Sequence, residues 1–184
     1  MILAIDTSIG TSVAVVGDDG SVLAQRASAD PRGHAEAIGT FIAEALWEAG
    51  ASADDVEAVA VGMGPGAYTG LRVGIAAARA FAFGCGIRVL PVPSHDAIRE
   101  ALGLGDDVAI ATPAGRRGHY VSTAGVLALT HDDPGPARRV DLVDAAALAR
   151  VALRRRAAGA PTGPEQPLYL REPDISVSTR KRVS

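Results

Sequence analysis

The chain has 184 residues, 48% of them hydrophobic and 21% charged, and a formal net charge of −3. These values exclude a disordered chain, and the mixed charge argues against a dedicated nucleic-acid binder with a basic face. The single cysteine, Cys85, excludes an intrachain disulfide, which fits a reducing cytoplasm. Only 4% of the residues are aromatic, so the core has to be built from Ala, Val, Leu and Ile with elements in close approach.

The opening "MILAIDTS" has no basic leader and meets Asp6 too early for a signal peptide. Ile2 to Ile5 is a short apolar run, the pattern of a buried strand that ends at Asp6-Thr7-Ser8. "TSVAVV", a "GDDG" turn and "SVLAQRA" predict a hairpin. From Pro31 to Ala49 the period changes. Ile38, Phe41, Ile42, Ala45, Leu46 and Ala49 recur at three- and four-residue steps, which predicts a helix with Asp30 or a neighbour as cap and Gly50 closing it. His34 falls in its first turn. Ser52 and Asp55 form a loose capping box for a short helical turn.

"VEAVAVG" predicts the next strand, followed by a glycine loop with Gly64, Pro65, Gly66, Tyr68, Thr69 and Gly70. Thr69 is the expected cap of a second long helix, Leu71 to Phe83, stopped by Gly84 and Gly86. "IRVLPVP" reads as a strand whose two prolines demand an edge or an end. Ser94 is the expected cap of "HDAIREALG". Further on, "DDVAIAT" predicts a strand and "HYVSTAGVLAL" one or two more, with "HDDPGPARR" a loop. Asp144 is the expected cap of "AAALARVALRRRAA", which Gly159 ends. "LYLRE" reads as a last short strand and "STRKRVS" as a polar tail. No charge-free apolar run of about 18 residues exists, because Arg72 and Arg79 interrupt the longest candidate, so a soluble cytoplasmic protein without membrane contact is expected.

The glycine loop lacks the lysine of a G-x-x-x-x-G-K-[ST] phosphate loop. Gly62, Gly64 and Ala67 match G-x-G-x-x-A, but no acidic residue ends the following strand to hold a ribose. The four histidines lie far apart, so no metal site is expected. Cys85 has no neighbouring base and reads as structural. Asp6, Thr7 and Ser8 stand at a strand end, where a carboxylate and loop amides can hold a Mg²⁺–phosphate, or where the same groups satisfy a turn; both readings stay open. The helix after the loop is nearly bald, with Gly74, Ala76, Ala77, Ala78, Ala80 and Ala82, and its apolar groups spread around the circumference. It must be buried on more than one side, either inside the chain or under a partner.

"ILAIDTS", "GMGPGAYTGLRVGIAAARAFAFG" and "PLYLREPD" together resemble the TsaB (YeaZ) family, historically grouped with M22 glycoprotease-like proteins. "HAEAIGTFIAEAL" is similar to the family's first helix. The resemblance implies an α/β, actin/hexokinase/Hsp70-like (ASKHA, ribonuclease H-like) fold, with an N-terminal α/β subdomain over 1–100 and a reduced second subdomain over 101–184. It implies a non-catalytic partner of the TsaD transferase that makes N6-threonylcarbamoyladenosine in tRNA. A TsaE-like ATPase joins them, a homodimer forms in isolation, and tRNA is met only through the complex. It carries no catalytic residue, no metal and no resident cofactor, with at most a weak ATP or ADP contact at the partner interface. The interface residues it implies are His34, Ile38, Phe41, Ile42 and Ala45 of the first helix, and Leu71, Arg72, Gly74, Ile75, Ala78 and Arg79 of the second. The alternative is a nucleotide phosphohydrolase or kinase that uses Asp6. The histidine pair that TsaD uses for metal is missing. "TPAGRRGHYVS" departs from the family's "DAR-x-x-E-V-Y"-like stretch, keeping Arg116 and Arg117 without the Asp and Glu.

Overall fold

A computed structural model of the chain describes residues 1–30, 33–115 and 118–170. Arg116, Arg117 and the tail from Arg171 onward, with "STRKRVS", lie outside the described residues. The elements in chain order are β1 (Ile2–Asp6), β2 (Thr11–Val16), β3 (Val22–Ser28), α1 (His34–Glu48), a 3₁₀ turn (Ala53–Asp55), β4 (Ala58–Gly62), α2 (Tyr68–Cys85), β5 (Arg88–Val92), α3 (Ser94–Leu102), β6 (Ile110–Pro113), β7 (His119–Thr123), β8 (Val126–Thr130), β9 (Arg138–Arg139) and α4 (Ala145–Ala157).

The first sheet has the order β3-β2-β1-β4-β5. β1 is antiparallel to β2 and parallel to β4, and β4 is parallel to β5. This is the sheet of an actin/hexokinase/Hsp70-like fold. Pro91 sits on its edge strand, as a residue without an N–H requires. The second sheet has the order β8-β7-β6-β9.

Alternation along the strands divides the core. Leu3, Ile5, Val13, Val15, Val59 and Val61 face one side, under α1 and α2. Ile2, Ala4, Ala14, Val16, Ala58 and Ala60 face the other, under α3 and α4. The second face is the one rich in alanine, and the helix that covers it is alanine-rich too. Ala145, Ala146, Ala147, Ala149 and Ala152 of α4 are all buried. Small residues on both surfaces let helix and sheet approach closely, which accounts for a core with so few aromatics. α4 is pinned at its start, where Ser12 Oγ accepts the Ala145 N–H at 2.9 Å and Asp144 caps Ala146 N at 2.9 Å.

Several helix ends differ from expectation. α1 starts after Gly33, which has no side chain to cap it. α2 begins at Tyr68, which places Thr69 inside the first turn rather than at its cap, and runs through Gly84 to Cys85 before Gly86 ends it with φ +67°. Ser94 is the first residue of α3, not its cap; its hydroxyl is engaged elsewhere. β9 forms inside the stretch read as a loop, and no strand occurs over 168–170. The capping box of Ser52 and Asp55, the Asp144 cap and the closing glycines Gly50 and Gly159 are as expected.

α3 is clamped to the second sheet by polar groups. The His95 ring meets Thr112 Oγ1 through Nε2 at 2.9 Å and Ser122 Oγ through Nδ1 at 2.6 Å. Arg99 donates to the carbonyls of Gly105, Val108 and Ser122. Burial, then the Arg99 charge, lowers the His95 pKa to about 4 from its ordinary 6.5. A depressed imidazole favours the folded state above pH 6.5, and that contribution is lost as pH falls toward 4. The span corresponds to about 3 kcal/mol. His95→Gln is therefore expected to flatten the stability profile between those pH values, measured by urea denaturation, and an unchanged acid slope would contradict it.

Candidate functional site

β1 ends where the glycine loop folds back over it. Asp6 is 2% exposed. Its Oδ1 accepts the Ser8 N–H at 2.8 Å and the Ser8 hydroxyl at 2.6 Å, and its Oδ2 accepts the Ser94 hydroxyl at 2.6 Å. Ser94 Oγ in turn accepts the Gly64 N–H at 3.1 Å. The carboxylate thus ties β1 to the glycine loop and to α3. Burial pushes the Asp6 carboxyl above its ordinary value, against the hydrogen bonds from Ser8 and Ser94 that pull it down.

Thr7 grips α2. Its hydroxyl donates to the Gly70 carbonyl at 2.7 Å and accepts the Gly74 N–H at 3.1 Å. Those two groups stand four residues apart, the pair that an α-helix joins to each other. A β-carbon at Gly74 would lie 2.3 Å from Thr7 Oγ1, and one at Gly62 would lie 1.8 Å from Asp6 Oδ2. Gly66 is equally close to Ser8, with 2.5 Å from a β-carbon to the Ser8 carbonyl oxygen. Gly64, which has φ +88°, and Pro65 are joined by a cis peptide and are buried. The glycines therefore serve close approach of backbone to the strand end.

His34 is buried at the start of α1, with Nδ1 2.8 Å from Thr11 Oγ1. A β-carbon at Gly70 would meet its Nε2 at 3.0 Å. The structure thus brings together Asp6, Thr7, Ser8, His34, Gly64, Gly66, Gly70 and Gly74. Among the described residues no group of three or more His, Cys, Asp or Glu side chains could hold a metal ion.

The residues proposed for a partner interface divide differently from expectation. His34, Ile38, Ala45, Leu71, Ile75 and Ala78 are buried against the chain's own sheet, as is Gly74. The helical stripe they form is the one that faces the chain's own core. Phe41 and Ile42 are half-buried, and Arg72 and Arg79 are exposed. The outward face of the helical layer carries Gly39, Ala43 and Trp47 on α1 and Ala76, Ala80 and Phe83 on α2. Trp47 is 82% exposed and Phe83 90%. Sequence reasoning missed both aromatics. The available signal was that each falls out of phase with the buried stripe of its helix. No helix of the described residues is long and apolar enough to cross a membrane.

Comparison with known proteins follows this geometry. The family model described as TsaD, tRNA N6-adenosine threonylcarbamoyltransferase, matches residues 21–153. An uncharacterized protein of Mycobacterium tuberculosis is 37% identical over 198 aligned residues, covering 94% of this chain and 92% of that one. A tRNA N6-adenosine threonylcarbamoyltransferase of Streptococcus suis is 41% identical over 108 residues, 50% of this chain and 32% of that one. YeaZ from Pseudomonas aeruginosa superposes with a TM-score of 0.71 at 25% identity, covering 92% of this chain and 99% of its own.

Two substitutions test the locked strand end. Gly74→Ala should destabilise by about 1–3 kcal/mol through overpacking on Thr7, although alanine is the better helix former. Asp6→Asn keeps the shape but removes a titration. A raised carboxyl contributes most to stability at low pH, and loses that contribution as pH rises above about 4, where the unfolded chain ionises first. The stability advantage of the native chain over Asp6→Asn should accordingly shrink from acid to neutral pH, read from denaturation midpoints. A gap that widens would contradict it.

Proposed function

The chain belongs to the family described as TsaD, tRNA N6-adenosine threonylcarbamoyltransferase, within which it is of the TsaB (YeaZ) kind, and from that premise we propose that it is the non-catalytic partner of a TsaD-like transferase in forming tRNA N6-threonylcarbamoyladenosine. It acts by binding. Its helical layer docks on the equivalent layer of the transferase and holds that enzyme in its working conformation. A TsaE-like ATPase joins the pair, and in the absence of the transferase a second copy of this chain takes its place.

The observation that carries this reading is the outward face of α1 and α2. Two large aromatics, Trp47 and Phe83, stand almost fully exposed at the C-terminal ends of the two helices. N-terminal to them the surface is small: Gly39 and Ala43 on one helix, Ala76 and Ala80 on the other, all exposed. Such a face lets partner helices approach closely while the aromatics supply buried area at one end. Exposed apolar groups gathered on one face mark an interaction site more often than a solvated surface.

The enclosure of Asp6 weighs against the alternative, a phosphohydrolase or kinase. A carboxylate that accepts two hydrogen bonds on Oδ1 and one on Oδ2 keeps a single lone pair, on Oδ2, and the glycine loop packs against that oxygen, which leaves little room for a Mg²⁺–phosphate. Purified chain is accordingly expected to turn over ATP at background, with Asp6→Asn no lower. Saturable turnover lost in that variant would restore the enzyme reading.

Docking is tested at positions where folding is not at stake. Ala80→Glu and Ala76→Glu change exposed helical residues, and each costs the helix under about 0.5 kcal/mol. Both should weaken binding to the cognate TsaD-like protein by more than about tenfold. Gel filtration of the mixture gives the readout: native chain moves to a heterodimer, and the variants elute apart. Co-elution of the variants would remove this face from the interface.

A further inference from the structure

After α4 the chain returns toward the helical layer. Arg155 Nη1 donates to the Thr162 carbonyl at 2.6 Å, and Gly163 lies so close to Pro91 that a β-carbon there would be 2.5 Å from the Pro91 carbonyl oxygen. The Leu168 N–H then donates to the Met63 carbonyl at 2.8 Å, in the glycine loop. Tyr169 ends this strap on the first turn of α2, its ring centroid 4.8 Å from that of Tyr68 with planes tilted by 42°. The Arg72 guanidinium lies 4.3 Å from the same Tyr68 ring centroid. Two signatures far apart in the sequence, "GAYTGLR" and "PLYL", therefore meet at one corner of the outward face.

Arg72 is exposed and, among the described residues, has no carboxylate within ion-pair distance. Arg26, Arg139, Arg150, Arg154, Arg155 and Arg156 each have one; Arg79, Arg88 and Arg138 are exposed without one among those described residues, and Arg72 differs from them in lying on the Tyr68 ring. A guanidinium stacked on an aromatic face keeps the N–H edge of its plane available, and that fork matches a carboxylate in two parallel hydrogen bonds. The stacking also limits the side-chain entropy lost when the fork engages.

We propose that Tyr68, Tyr169 and Arg72 form a carboxylate-binding corner of the docking face, in which the C-terminal strap holds Arg72 ready for an aspartate or glutamate of the protein partner. This rests on the docking reading above. Tyr169 is a positioning residue that acts through Tyr68 and Arg72, so the C-terminal strap governs affinity from outside the two helices.

The test uses the full chain and its cognate TsaD-like protein, with affinity measured by titration calorimetry at low and high salt. Arg72→Gln should weaken binding about tenfold and reduce its salt dependence, and Arg72→Lys should recover only part of the loss. Tyr169→Ala should weaken binding by a similar factor, Tyr169→Phe should behave as native, and the double variant should be no weaker than Arg72→Gln alone. Native affinity in Arg72→Gln would overturn the proposal, as would additive losses in the double variant. Unchanged protein affinity with poorer retention of tRNA by the Arg72→Gln complex would mean that the fork meets phosphate instead, which also overturns it. Arg72 is exposed, so its variants stay interpretable even if Tyr169→Ala melts early. If Ala80→Glu loses the partner while Arg72→Gln keeps it, docking stands and the corner falls. If the native chain forms no complex, both fall.

Discussion

One hydroxyl group holds the architecture together. Thr7, the first residue after β1, places its side chain between the Gly70 carbonyl and the Gly74 N–H, inside the first turns of α2. That contact needs a helix with no β-carbon at 74 and a strand end without bulk. It sets where α2 starts, how close it lies to β1, and therefore which of its faces turns outward. The neighbouring carboxylate extends the same constraint. Asp6 binds Ser8 and Ser94, so strand end, glycine loop and α3 become one buried polar unit. Burying a carboxyl is unfavourable unless its oxygens are satisfied, and here three donors satisfy them.

This unit accounts for the glycines of the loop by packing. Phosphate-binding glycines point backbone N–H groups into open space. Here Gly62, Gly66, Gly70 and Gly74 are needed because protein atoms already occupy the place of a β-carbon. Glycine for close packing and glycine for ligand approach look the same in a sequence. Only the neighbours distinguish them, and at this site the neighbours are Asp6, Thr7 and Ser8 themselves.

Much of the fold was legible because burial imposes period. β1, β2 and β4 contain the apolar runs Ile2 to Ile5, Val13 to Val16 and Ala58 to Val61, buried on both faces, and α1 and α2 carry buried residues at three- and four-residue steps. The misplaced caps have different causes. Thr69 and Ser94 have the right chemistry to cap a helix, but Ser94 is drawn into the Asp6 cluster and Thr69 enters the helix itself. β9, two residues long, has no pattern to detect and exists through its pairing with β6. The two faces of the helical layer were harder to tell apart. A stripe of apolar residues states that something covers it, but not whether the cover is the chain's own sheet or another molecule. Ile38, Ala45, Leu71, Ile75 and Ala78 proved to face the sheet, while Trp47 and Phe83, out of phase with them, face solvent.

Local chemistry determined the elements, the alanine-rich core and the family, because strand and helix periods, turn residues and the "GPGAYTGLRVG" run are properties of neighbours in the chain. Tertiary structure decided three things that depend on residues far apart. It buried Asp6 and tied it to Ser94, 88 positions away. It closed the far face of the first sheet with α4, from the other end of the chain. And it brought Tyr169 onto Tyr68 beside Arg72. Each is a long-range contact between groups that separately have an adequate local explanation, and for that reason no window of sequence could assign it.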